Sequence, residues 1–438
     1  MLVNLRKIHK LPSMGNKLKF LASQPGYLPG FITAITVGIV CVTKILKKVV
    51  SPWDELYHLA YVQYMYNFNI PQPGNELLSW SKYAFTCFPV HPYGFTTALS
   101  CGTDGPPEAF PAAGRNVAAI WPPIYYALTS TWMRLFGTND ETALFIARSF
   151  STFVWSIGAG LFCYTLIARN KLNKETAVAI SLLVAILPMG IFQSVFVTPY
   201  SLMLILVSGL YLIATSKYSM SFKGLNHIVV FATISLLAIP HIFPVVFFLT
   251  LRMLFKYWVE NEKRSKVFIF FILCTSIIPF AVITLWQKIQ ESRQLEVVMP
   301  IPPLNPFTLD QLPRALFTFI PHSIDGYQFM DRWQSLISYI LSILFLVLLF
   351  KPLMESTSPT STKLDAFLLL SISCLFGVLY QVVFGFTIPP RYGLPLIFVS
   401  FFIITMGGIS VILERTFKSL ALLGLLATLL APVFNISS

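Results

Sequence analysis

The sequence predicts an all-α, polytopic membrane protein. Of its 438 residues, 55% are hydrophobic and only 11% are charged, and the mean hydropathy is +0.71. A soluble domain carries about 25% charged residues. Several apolar runs reach the roughly 18 residues that cross a bilayer core of about 30 Å. The formal net charge of +13 therefore bears on orientation in the lipid bilayer rather than on a nucleic-acid partner, because cytoplasmic loops collect Lys and Arg.

The N-terminal segment sets the predicted orientation. The first apolar run is 27–50, and segment 1–26 before it is basic and lacks a cleavage site of the signal-peptide type, which predicts an uncleaved, cytoplasmic N-terminus. The basic residues there are Arg6, Lys7, Lys10, Lys17 and Lys19. Lys44, Lys47 and Lys48 at the far end of the run are expected to snorkel to the outer interface.

A long first external loop follows, predicted over 51–141. Within it, the stretch 121–137 (WPPIYYALTSTWMRLFG) is barely long enough to cross a bilayer. Its paired prolines suit a helix start, and Trp121 and Tyr125 suit the headgroup layer. If 121–137 lies along the interface and does not cross, every basic cluster of the central chain falls on the cytoplasmic side. We therefore interpret 121–137 as an interfacial helix.

The same charge argument places the other spans of a single domain, 1–438. The run 226–251, interrupted by Pro240 and Pro244, is predicted to be a hairpin of two short helices. A second large external loop is predicted over 287–333, and about eleven spans result. The remaining ones are expected at 142–167, 176–193, 199–215, 267–286, 334–350, 365–385, 393–412 and 418–434.

Two adjacent acids follow the first span, in the stretch SPWDELYH. Ser51 as N-cap and Pro52 at the first helical position predict a helix start, where Asp54 could merely satisfy amide groups. The other interpretation is a catalytic pair, Asp54 and Glu55, with Asp54 as a general base at the membrane surface. His58 is four residues from Asp54 and shares its helix face, so it either orients the acid or contacts substrate.

Two arginines are candidate phosphate ligands, because a guanidinium matches phosphate geometry. Arg391 and its neighbour Tyr392 lie in IPPRYGLPL, at the predicted outer end of two apolar runs. Snorkelling is the alternative for Arg391. Arg148 lies inside the span 142–167, where a charge must face protein or a wet cavity. It either pairs with an acid of the first loop or contacts phosphate.

The first loop also contains Cys87 and Cys101, whereas the other four cysteines fall in apolar runs. In an oxidising compartment these two could form a disulfide that closes the loop between them, and two free thiols are the alternative. The chain has no Cys/His spacing typical of a metal site, and no P-loop or dinucleotide-binding fingerprint.

Taken together, these motifs resemble the GT-C superfamily of membrane glycosyltransferases. Asp54-Glu55 resembles the acid pair of protein O-mannosyltransferases and lipid A aminoarabinose transferases, and WPPIYYAL is similar to their interfacial helix. Arg148, in FIARSFST, resembles the arginine that opens their next span. A bacterial branch is most similar. It carries a D-E-x-x-H-like motif, two cysteines in the first loop, a Y/W-P-P-x-Y-Y helix and a late G-R-Y-x-x-P.

The resemblance implies a function at the outer face of a bacterial cell membrane. A sugar carried on polyprenyl phosphate would move, with inversion, to an acceptor on a glycan, lipid or protein. Asp54 would deprotonate the acceptor hydroxyl and Arg391 would stabilise the leaving phosphate. Trp121 and Tyr125 would pack on the sugar or on the lipid.

This chain departs from the family pattern at two points. Where family members often carry an acid, it has Thr198-Pro199-Tyr200, and where they often carry Lys-Pro, it has Ile239-Pro240-His241. A hard cation requires several oxygen ligands, so a divalent metal is not favoured and no cofactor is expected. The alternatives are a transporter or flippase of a lipid-linked saccharide, a glycan polymerase or ligase, and a non-catalytic scaffold.

Overall fold

The computed structural model describes residues 26–45, 50–51, 54–88, 99–260, 265–295, 346–356, 358–384, 390–406 and 409–430. This part of the chain is all-helical and contains no strand. Its α-helices are α1 (Tyr27–Ile45), α2 (Glu55–Tyr66), α3 (Ser79–Cys87), α4 (Ile124–Phe136), α5 (Ala143–Asn170), α6 (Lys174–Ala185), α7 (Pro188–Val195), α8 (Met203–Ala214), α9 (Phe222–Ala238), α10 (Phe243–Glu260), α11 (Lys266–Ser292), α12 (Thr360–Phe384), α13 (Pro390–Ile404) and α14 (Val411–Leu430).

Within the described ranges, five helical stretches are long and apolar enough to cross a membrane. The number is six if the bent pair α6–α7 forms one span. Shorter apolar helices are Pro199–Ala214, Phe222–Ala238 and Tyr392–Ile404. The chain is therefore a helical membrane protein. The predicted total of eleven spans is not confirmed, and most of the expected span 334–350 lies outside the described residues.

The long helix α5 is central to the bundle and packs closely on α1. Their backbones meet at two glycines: a Cβ atom added at Gly160 would lie 2.6 Å from the carbonyl oxygen of Gly30. Small residues permit such close approach in membrane bundles. Lys44, near the end of α1, is only 6% exposed. This burial contradicts the snorkelling expected of Lys44, and Lys47 and Lys48 lie outside the described residues.

The predicted span 176–193 is broken in two. Helix α6 ends at Ala185 and α7 begins at Pro188, with a bend of 72° between them. Proline lacks the amide hydrogen and clashes with the preceding turn, so it starts α7 instead of continuing α6. The break directs α7 and the following residues 196–198 toward the first loop.

The predicted hairpin over 226–251 is present, with helices longer than expected. Helices α9 and α10 have 17 and 18 residues and are joined by a single 3₁₀ turn, Pro240–Ile242. Pro244 lies in the first turn of α10, where a proline costs no hydrogen bond. The turn therefore presents His241 at the end of the two helices.

The described part of the first loop contains three short α-helices, α2, α3 and α4. Helix α4 has 13 residues, about 20 Å in length, which is too short to cross a bilayer core. Helix α2 begins at Glu55 with Asp54 as its N-cap residue, so the prediction of Ser51 as N-cap was wrong. Cys87 at the end of α3 forms a disulfide with Cys101.

The end of the bundle that contains the first loop is called here the loop end. Helix α11 reaches it, because the indole Nε1–H of Trp286 donates to the carbonyl oxygen of Ile120 at 3.1 Å, and the amide of Leu295 donates to Pro73 at 3.0 Å. The helix continues to Ser292, so the loop expected over 287–333 begins later than predicted. Residues 296–333 of that loop lie outside the described residues.

Contacts at the opposite end, called the basic end, join the turns that the charge argument assigned to one side. The Asn170 amide donates to Thr405 at 2.6 Å, and Arg169 donates to the Leu212 carbonyl at 2.9 Å. The ion pairs Lys418–Glu175 at 2.7 Å and Arg252–Asp365 at 2.8 Å lie there too. The helix ends therefore separate into the two groups predicted from the basic clusters. Residues 1–25 lie outside the described residues.

Candidate functional site

A buried ion pair holds the start of the first loop against the bundle. Arg148 in α5 donates from Nε to Glu55 Oε1 at 2.8 Å and from Nη2 to Oε2 at 2.7 Å. The amides of Ser51 and Val197 donate to the same carboxylate at 2.9 and 3.0 Å. The guanidinium also lies 4.9 Å from the ring centre of Phe196. Both side chains are about 2% exposed.

This geometry supports the ion-pair interpretation of Arg148. The arginine is paired in a two-pronged manner with an acid of the first loop, and the carboxylate that it holds already accepts four hydrogen bonds. Glu55, predicted as part of a catalytic pair, is thus engaged in tying together α2, α5 and residue 197. Both residues lie beside the candidate site and fix its position.

Asp54 occupies the neighbouring position and is half-buried. Although Asp54 is the N-cap residue of α2, its side chain makes no capping hydrogen bond to the helix. It lines a small cleft, with a cavity volume of about 20 Å³, between the first loop and the segment around the end of α7. The other lining residues are Ser51, Glu55, His58, Phe192, Gln193, Phe196, Val197, Thr198 and Tyr200.

His58 lines the same cleft one helical turn beyond Asp54. It is 2% exposed, and its Nδ1 lies 2.8 Å from the hydroxyl of Tyr126 in α4. Tyr126 stacks on Tyr61 at a ring separation of 3.8 Å. Burial raises the pKa of Tyr126 well above its ordinary value, so this phenol stays neutral and fixes the orientation of the imidazole. Burial, with Asp54 nearby, also raises the pKa of Tyr57 to about 12.

A cluster of four rings, called here the aromatic wall, extends the cleft along the loop end. Trp121 lies 5.7 Å from Tyr200 and 5.3 Å from His241, measured between ring centres. The hydroxyl of Tyr200 lies 2.9 Å from His241 Nδ1. The ring of Tyr392 stacks on His241 at 3.5 Å with an interplanar angle of 12°. The wall thus joins residues from the first loop, the 3₁₀ turn Pro199–Leu202, the 240–242 turn and α13.

Tyr125 and Arg391 are the two remaining predicted site residues. Tyr125 is fully buried and shares a hydrogen bond of 2.9 Å with Ser151, so it anchors α4 to α5, and it is not among the residues that line the cleft. Arg391 belongs to the first turn of α13, next to Tyr392 of the aromatic wall. Its side chain lies outside the described residues.

The sequence prediction of the site omitted Tyr200 and His241. They occupy the two positions at which the chain departs from the family pattern, and the structure places both beside Trp121. A proline precedes each of them, in Thr198-Pro199-Tyr200 and Ile239-Pro240-His241. That repeated Pro-aromatic pattern at two helix breaks was the available signal.

Among the described residues, no group of three or more His, Cys, Asp or Glu side chains could hold a metal ion. No protein-family model matches the chain, and no curated protein matches it at a significant level.

Proposed function

We propose that the protein is a membrane glycosyltransferase that transfers a sugar from a polyprenyl-phosphate donor to an acceptor at the outer face of the membrane. The observation that carries the proposal is the placement of Asp54. Its carboxylate lies at a cleft bordered by aromatic rings, and it makes no capping hydrogen bond to α2. A carboxylate so placed can take a proton from an attacking hydroxyl.

The surroundings of Asp54 support a preorganised base. Its neighbour Glu55 is held by four hydrogen bonds, and His58 is held by Tyr126. A catalytic group must be positioned by residues whose own conformations are fixed. The acceptor hydroxyl would lose its proton to Asp54 as its oxygen attacks the anomeric carbon. The bond from that carbon to the phosphate oxygen breaks, and Arg391 stabilises the departing phosphate.

The location of the cleft supports a lipid-linked donor. The cleft lies at the loop end, beside the short helices of the first loop, where a polyprenyl chain in the bilayer could bring its headgroup. Aromatic rings of the wall offer flat apolar surfaces with polar edges, which suit sugars and headgroups. The resemblance to the GT-C superfamily points to the same donor class.

The proposal is tested by expressing the Asp54→Asn variant in a strain from which the gene for this protein has been deleted. Asparagine keeps the size of the side chain but cannot act as a base, so turnover should fall about 10²–10⁴-fold. Analysis of the cell-envelope glycans should then match the deletion strain, while expression and donor binding by the purified variant stay near wild type. Asp104→Asn, which changes an exposed acid of the same loop, is the matched control and should restore the glycans.

A second candidate function is the transport or flipping of a lipid-linked saccharide. One observation favours it: α7, which follows the 72° break after α6, lines the cleft, and broken helices form the substrate sites of many transporters. A transporter would not need Asp54 as a base. Full glycan synthesis by the Asp54→Asn copy would therefore contradict the glycosyltransferase proposal and favour this one.

A further inference from the structure

His241 has an unusual environment for a histidine at the end of a membrane bundle. Its ring lies flat on Tyr392 at 3.5 Å, its Nδ1 lies 2.9 Å from the Tyr200 hydroxyl, and Trp121 closes a third side at 5.3 Å. Tyr200 is 1% exposed, whereas His241 is half-buried. The imidazole is thus held by a rigid partner and remains partly accessible beside Tyr200, which lines the cleft.

These contacts suit both protonation states of the imidazole. A phenol hydroxyl can donate to a neutral Nδ1 or accept from a protonated one, so the bond to Tyr200 survives the change. The face of Tyr392 attracts a cation that lies over it. The positive charge of a doubly protonated ring would therefore be stabilised by Tyr392. Its Nε2–H, on the ring edge away from Tyr200, would be a charge-assisted donor to an anion.

The other titratable groups around His241 come from a few places. Tyr200 and Tyr392 touch it, Arg391 is the chain neighbour of Tyr392, and Asp54 and His58 lie beyond Tyr200 and Trp121. Helices α9 and α10 pack on the 240–242 turn, but their adjoining two turns contain no titratable residue. The fixed positive charge next in sequence to a residue that touches His241 is therefore Arg391, the residue proposed to stabilise the phosphate.

We propose that His241 binds the phosphodiester of the donor through its protonated imidazole, so that donor affinity decreases as pH rises through the titration of this residue. The inference rests on the proposed function, because it assigns the donor phosphate to the aromatic wall. It adds a binding residue and a pH dependence to that site. Asp54 at the other end of the cleft then serves the acceptor.

Donor binding, not turnover, tests this inference. The probe is a short-chain isoprenyl phosphate hexose, a phosphodiester whose single negative charge stays constant between about pH 5 and about pH 8, the range in which histidine changes its charge. Its dissociation constant for the purified protein in detergent should rise up to about tenfold per pH unit above the imidazole titration. The matching phosphate-free isoprenyl hexoside should bind without this pH dependence.

Three variants make the test specific to His241. His241→Gln removes the charge at every pH and should bind the diester weakly, with a flat pH profile. His241→Lys keeps a positive charge across the range and should bind tightly with a flat profile, which also shows that the wall still folds. His227→Gln changes an exposed histidine in α9 near the basic end and should behave like wild type.

Two results would overturn the inference. If His241→Gln keeps the pH dependence of wild type, the diester is bound elsewhere and the inference fails, while the donor class of the proposed function stands. If wild type binds the diester and the phosphate-free hexoside equally well, the phosphate is not recognised, and both the inference and the proposed donor fail.

Discussion

Asp54 and Glu55 are adjacent acids with different surroundings. One residue along a helix turns the side chain by about 100°, because an α-helix has 3.6 residues per turn. Both acids line the cleft, but Arg148 and two amides hold Glu55, whereas Asp54 makes no capping hydrogen bond to α2. The sequence placed both acids at a helix start. It could not assign their roles, since the partners of Glu55 are 93 and 142 residues away in the chain.

We predict that Glu55→Gln strongly destabilises the fold. Glutamine keeps the size of the side chain, but it leaves the buried guanidinium of Arg148 without a neutralising charge. Removing one partner of a buried ion pair typically costs about 3–5 kcal/mol. Thermal unfolding of the purified protein in detergent would measure the loss.

The matched control for this prediction is Glu291→Gln. Glu291 pairs with Lys288 at 3.0 Å on the surface of α11, where both side chains are more than half exposed. Exposed ion pairs contribute little to stability, so the melting temperature should not change. Equal melting temperatures for Glu55→Gln and Glu291→Gln would contradict a structural role for the buried pair.

At the scale of helices, two prolines in apolar runs have different outcomes. Helix α11 continues through Pro279, whereas the run 176–193 breaks at Pro188. Beyond the break, Gly190 lies against the ring of Trp155, since an added Cβ would meet that ring at 3.0 Å. The bend therefore brings α7 close to α5. The sequence showed both prolines, but the tertiary packing around each one determined whether the helix continued.

We predict that Gly160→Ala destabilises the contact between α1 and α5. The added methyl group would meet the Gly30 carbonyl oxygen at 2.6 Å, so the two helices must move apart. Overpacking of this kind typically costs about 1–3 kcal/mol. Gly424→Ala in α14 is the control, because its methyl group would meet only the flexible end of Ile186, at 3.1 Å. A melting temperature of the Gly160→Ala protein equal to or above that of wild type would contradict this account.

We also predict that the Cys87–Cys101 disulfide contributes to the stability of the first loop. The bond links residues 14 positions apart, and closing a loop of this length contributes about 3 kcal/mol on the chain-entropy model. Mass spectrometry of non-reduced peptides should detect the linked pair. The Cys87→Ser/Cys101→Ser protein should unfold at a lower temperature than wild type. Two free thiols in protein purified without reductant would refute the prediction.

At the scale of the whole molecule, the distribution of basic clusters predicted which turns lie together. Contacts such as Trp286 with Ile120 and Lys418 with Glu175 join turns that the charge argument had placed on common sides. The charge argument could predict these contacts because it requires only the order of the spans along the chain. The aromatic wall was not predictable in this way, because Trp121, Tyr200, His241 and Tyr392 meet only after four separate segments have packed.

The same argument predicts which end of the bundle faces the outside. We expect the loop end to be external and the basic end to be cytoplasmic, since the Lys and Arg clusters lie at the latter. Single cysteines at exposed positions can report this in a variant that lacks the four free cysteines: Glu108→Cys at the loop end and Lys174→Cys at the basic end. In intact cells an impermeant thiol reagent should label only the first, and both should react after the membrane is permeabilised. Labelling of Lys174→Cys alone would invert the orientation and remove the outer-face donor from the proposed function. Labelling of both in intact cells would contradict the separation of the two ends.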